Sequence, residues 1–122
     1  MHMSTRAVYT FIDDNDHHHV YKHHDGYPSG AIEFILKALD KSWPLPRFEA
    51  DEFAASFIAA NKDAAGGIRL TTGPSAHGDL SYRYETMVKE DKLYTRIFEN
   101  DGSFKLIEEG YTGQLWSKYL NK

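Results

Sequence analysis

Five of the chain's seven histidines fall in one stretch, His17 to Gly30, which reads HHHVYKHHDGYPSG. Asp25 and two tyrosines lie among them. Imidazole is the commonest protein metal ligand, and its unperturbed charge changes near neutrality. Metal binding and acid–base chemistry are therefore the first two chemistries to weigh.

For a metal, the candidate ligands are His17, His19 and His24, holding a divalent ion such as zinc. Alternate residues of a strand share a face, so His17 and His19 point together and His18 points away. Asp16 and Asp25 are close in sequence. His23 lies on the His19 side, but four residues of strand span about 13 Å, too far for one ion without help from elsewhere. No helix-borne zinc spacing is present. The competing reading is a solvated hairpin edge that is merely rich in histidine.

For a ligand, the set is Arg6, His23, His24, Asp25 and Tyr27. His24, Asp25 and Tyr27 precede a predicted helix N-terminus, whose free amides and dipole favour anions. Arg6 begins the strand expected to pair with this segment and can face the same place. A phosphate or carboxylate would suit it. An acid–base enzyme would use His23 or His24 with Asp25. No nucleophile is evident. There is no cysteine, and Ser29 lacks a Gly-x-Ser-x-Gly setting. The competing reading leaves Asp25 and Tyr27 only shaping the turn.

Two further places carry weaker signals. The loop Gly73–Asp79 is the longest predicted, and its His77 could complete a site; a plain connection is the alternative. Tyr82 and Tyr84 with Arg83 and Arg96 suggest base stacking on a sheet. Arg83 points to the opposite face from the tyrosines, however. The formal net charge of −4 also opposes a nucleic-acid footprint.

The elements that must position these residues read as follows. Arg6–Asp13 is a strand with apolar residues on both faces, hence central in a sheet. Asp13–Asp16 turns the chain into a second strand, His18–His24, forming a hairpin. Ser29 is the expected cap of a helix over Gly30–Lys41, with Ile32, Ile35, Leu36, Leu39 and Trp43 on one stripe. Pro44 and Pro46 end it. A second helix spans Arg47–Ala65 and stops at Gly66-Gly67. Strands follow at Ile68–Thr72, Leu80–Lys89, Lys92–Glu99 and Phe104–Glu109, with Asp101-Gly102 marking a hairpin. A short helix over Gly113–Leu120 follows Thr112.

This order, ββααββββα, predicts an α+β fold: a mostly antiparallel sheet of five or six strands, two helices on one face and a short C-terminal helix. The chain of 122 residues suits a single domain. Its aromatic share of 14% fits a strand-rich fold. No apolar run approaches the roughly 20 residues of a membrane span. No signal-like leader is evident, and the lack of cysteine fits the cytoplasm.

Ser4-Thr5-Arg6-Ala7, followed by Val20-Tyr21-Lys22-His23-His24-Asp25-Gly26-Tyr27-Pro28, resembles a group of small uncharacterised bacterial and phage proteins. Tyr82-Arg83-Tyr84-Glu85 is a looser second match. The resemblance covers about the first third of the chain and implies a bacterial or phage origin. The expected function is that of a non-enzymatic accessory protein that binds a protein partner or small ligand. The alternative is a small metal-dependent or His/Asp acid–base enzyme. A homodimer through exposed strands is a further expectation; nucleic acid and membrane partners are not expected.

Overall fold

A computed structural model describes residues 4–62 and 67–120. It is α+β, with a six-stranded mixed sheet that is mostly antiparallel and three helices. The elements are β1 (Ala7–Ile12), β2 (His17–Lys22), α1 (Pro28–Ala38), α2 (Ala50–Asn61), β3 (Ile68–Thr71), β4 (Tyr82–Lys89), β5 (Lys92–Asn100), β6 (Phe104–Tyr111) and α3 (Thr112–Leu120). The strand order is β3-β2-β1-β4-β5-β6.

β1 occupies a central position, as its two apolar faces require. It pairs antiparallel with β2, Ala7 opposite Lys22, and parallel with β4, Ala7 opposite Tyr82. Every other pairing in the sheet is antiparallel.

Period-two alternation sorts the side chains. Tyr9, Phe11, Val20, Tyr84 and Ile97 face the helices and are fully buried with Ile32, Ile35, Phe53 and Phe57. The Tyr9 ring packs 4.7 Å from Phe57 and 5.2 Å from Tyr84, centroid to centroid. α3 lies on this same face and sends Leu115 into the core. A buried hydroxyl relay ties it down. Thr95 Oγ1 lies 3.1 Å from Thr86 Oγ1 and 2.9 Å from Thr112 Oγ1.

Several boundaries differ from the sequence reading. β2 ends at Lys22, so His23 and His24 lie beyond the ladder with β1. The chain breaks away there because Gly26 N–H donates to Thr5 O at 2.8 Å. A Cβ at Gly26 would stand 2.7 Å from Ala7 Cβ, so only glycine permits that approach. Tyr27, not Ser29, is the N-cap of α1, and it makes no side-chain cap. Pro28 takes the first helical position, where its fixed φ suits the helix and no amide is lost. α1 ends at Ala38, before Lys41.

α2 begins at Ala50 instead of Arg47 because its cap comes from elsewhere. Asp13, at the end of β1, accepts the Ala50 amide at 2.7 Å and also the Asn15 and Asp16 amides. These three bonds hold the Asp13 carboxyl below its ordinary pKa. α2 ends at Asn61, whose side-chain amide donates to Phe34 O and Phe57 O. The expected continuation over Asp63–Ala65 and its stop at Gly66 lie outside the described residues.

Candidate site on the open face of the sheet

The face turned away from the helices carries the alternate residues. On β2 these are His17, His19 and Tyr21; on β3 Arg69 and Thr71; on β1 Val8, Thr10 and Ile12; on β4 Arg83, Glu85 and Met87. Arg96 lies opposite Glu85 on β5. Four of the five arginines, Arg6, Arg69, Arg83 and Arg96, thus collect on one face of an acidic protein.

The long loop before β4 folds back onto this face. Leu80 is buried there against Val8 and Tyr21, with Phe104 packed beside them, forming a second small apolar cluster. The His77 ring lies on the Tyr21 ring, with centroids 4.0 Å apart and planes 12° apart. Asp79 pairs with Arg6 at 3.5 Å. What the sequence offered as a lone loop histidine is therefore delivered to the strand that carries the histidine run.

Around Tyr21 the polar groups converge. Its hydroxyl lies 2.8 Å from His23 Nδ1. Partial burial, then Arg6, His24 and Arg69, lower the His23 pKa, so cationic groups surround this ring. Arg69 is exposed and makes no ion pair with the described residues. Further along, Glu85 lies between Arg83 at 3.8 Å and Arg96 at 3.6 Å, and Arg96 also reaches Glu109 at 3.4 Å. The carboxylates of that half are committed to arginines. In the Tyr21 half, Asp79 is the carboxylate within ion-pair reach of an arginine, among the described residues.

The ligand set expected from the sequence is divided by the turn. Arg6 and His23 join the open face. His24 is exposed, with its Nδ1 3.3 Å from Ser4 Oγ and its ring edge-on to His23. Asp25 is exposed in the left-handed region at φ 58°, and no hydrogen bond joins it to either histidine among the described residues. Its charge acts instead on Tyr9, on the helix side, helping burial push that phenol up. Tyr27 goes to the helix layer at the start of α1. His24 and Asp25 therefore do not form an acid–base pair with His23 in this arrangement.

The metal set is also dispersed. His17 and His24 are seven residues apart, roughly 23 Å if the strand geometry continued. His19 is occupied locally, its Nδ1 2.8 Å from Thr10 Oγ1. Burial, followed by His17, Arg83 and His18, lowers its pKa. Among the described residues, no group of three His, Cys, Asp or Glu is placed to hold a metal ion.

No protein-family model, curated protein or solved structure matches the chain. No helix of the described residues is long and apolar enough to cross a membrane. Tyr21, Arg69 and His77 enter the site without having been singled out together. The same alternation that relates His19 and His23 puts Tyr21 on their side, a step the sequence reading did not take. The return of the loop over β2 had no local signal.

Proposed function

We propose that the protein is a binding protein, and that the Arg6–Tyr21–His23–Arg69–His77 cluster takes a phosphate- or carboxylate-bearing ligand. The observation that carries this reading is the loop closure that stacks His77 on Tyr21 beside His23. It gathers two guanidinium groups and two imidazoles where one carboxylate, Asp79, answers Arg6. Guanidinium groups recognise carboxylate and phosphate through paired N–H donors, and charge-assisted bonds of this kind are the strong ones. Protonation of His23, whose pKa is lowered, would add to the positive charge as pH falls. The anionic ligand is carried by a small molecule or by a protein partner. The lack of cysteine suits a reducing cytosol.

The test is an NMR titration with inorganic phosphate at pH 6.5. The expected result is saturable shifts at Arg6, His23, Arg69 and His77, weakened about tenfold in Arg69→Ala. Shifts confined to the helix side, or no saturable shifts, would overturn the reading.

A further inference from the structure

A cavity of about 210 Å³ lies on the side of the molecule away from the open face, between the start of α1 and α3. Its walls include Tyr27, Trp116 and Tyr119, with Glu33 and Ser29 at its polar side and Leu120 beside the rings. Trp116 and Tyr119 are three residues apart on α3 and so share a face. Both pack partly against the core, which fixes them. Tyr27 and Leu120 are 44% and 64% exposed, so the cavity opens to solvent.

The chemistry of this lining is one-sided. Three aromatic rings and one carboxylate border it, and no lysine or arginine does. The Tyr119 hydroxyl donates to Glu108 at 2.5 Å, which orients the ring; Glu108 is itself paired with Lys118, so Glu33 is the carboxylate that counts here. Glu33 has a neighbour in Lys37, 3.8 Å away, but both are about half exposed, so this pair is weak. The start of α1 contributes about half a positive charge. The full negative charge of Glu33, one turn further on, outweighs it. An anion would find no cationic side chain here. A cation would find ring faces with negative quadrupoles and a counter-charge.

Size narrows the class. The cavity is far larger than the roughly 30 Å³ of one water and smaller than the roughly 300–1,000 Å³ of sites for drug-sized ligands. It suits a compact head group. A methylated ammonium has no N–H to satisfy, so aromatic walls serve it better than a ring of acceptors would. We propose that this cavity binds a quaternary or methylated ammonium head group, with Tyr27, Trp116 and Tyr119 as the cage and Glu33 as the counter-charge. The site is independent of the open face and does not depend on the reading proposed for it.

The experiment titrates the full chain with choline, and in parallel with 3,3-dimethylbutan-1-ol, its uncharged isostere. Binding is read by NMR at the Trp116 indole N–H and the Glu33 amide. Ionic strength is held constant with sodium chloride. Choline is expected to bind roughly two- to thirtyfold more tightly than the alcohol. Tyr27→Leu and Glu33→Gln should each weaken choline several-fold, with dispersed spectra showing that the fold is retained. Trp116→Leu should abolish the response at the Glu33 amide. Equal binding of choline and the alcohol would overturn the proposal, leaving an apolar cleft. So would choline binding left unchanged in both Glu33→Gln and Tyr27→Leu, or no saturable response at Trp116.

Discussion

The two faces of the sheet are made from the same strands and do different things. On the helix-covered face, Tyr9, Phe11, Val20, Tyr84 and Ile97 meet no water. They carry two side-chain polar atoms: Tyr84 gives its hydroxyl to Gly26 O at 2.5 Å, whereas the buried Tyr9 hydroxyl has no hydrogen-bond partner among the described residues. On the open face, the residues one step along the same strands are Arg83, Glu85, His19 and Tyr21. Among the described residues, Val8, Tyr21 and Leu80 form a small apolar cluster there with Phe104 beside them, beneath a returning loop. One face is organised by packing, the other by charge. Substitutions should therefore separate cleanly into those that cost stability and those that cost binding.

The largest effect is expected at Phe57, which is fully buried and packs against both Tyr9 and Phe11. Phe57→Ala should cost about 3–5 kcal/mol in urea denaturation. At low temperature, where it remains folded, phosphate shifts on the open face should persist. A loss of less than 1 kcal/mol (against that ~3–5) would mean the helix-side core is looser than its burial implies.

Gly26→Ala comes next. Its new methyl would meet Ala7 Cβ, at the start of β1, and Thr5 O, just before it, within 2.8 Å. The expected cost is about 1–3 kcal/mol. This substitution also bears on the turn that divides the histidine segment, so the His23 and Tyr27 environments should shift together. Unchanged stability would show that the turn does not hold the two faces in register.

A smaller effect should come from pH. The pKa of His19 and that of His23 are lowered in the folded state, so protonation favours the unfolded chain. Their contribution is complete above the unfolded value of about 6.5 and is lost as pH falls through it towards the folded values. The urea midpoint should decline between pH 7.5 and 5.5, and His19→Gln should flatten that decline. An identical slope in the variant would remove His19 from the account.

The smallest stability change is expected for Arg69→Ala, within about 0.5 kcal/mol, since the residue is exposed. That same variant is the one expected to weaken phosphate about tenfold. A large stability loss with unchanged binding would reverse the assignment of the two faces.

Much of the scaffold was legible from alternation. Both faces of Ala7–Ile12 are apolar, which placed that strand centrally. Arg83 alternates with Tyr82 and Tyr84, which put it on the outer face. Local signals failed where a distant partner decides the outcome. Asp13 caps a helix 37 residues away and so moves its start to Ala50. The parallel pairing of β1 with β4 joins segments some seventy residues apart in sequence, with no pattern in either to announce it. The histidine segment looked like one site because its residues are contiguous. A bond from Gly26 to Thr5 turns the chain out of the sheet, so that His23 and Tyr27 serve different surfaces. Chain contiguity favoured a single site; backbone direction sends its residues to two surfaces.

The parallel pairing also divides the protein into two lengths of chain. Residues before the long loop supply β3, β2, β1, α1 and α2, and those after it supply β4, β5, β6 and α3. Among the described residues, the one strand pairing between these lengths is β1 with β4. Neither piece alone can stack Tyr9 on Tyr84 or lay His77 on Tyr21 once the chain is cut between Gly73 and Ser75. Two separately expressed fragments would each present an unfinished edge shaped for the other. Regained stacking of His77 on Tyr21 would signal that the halves have met.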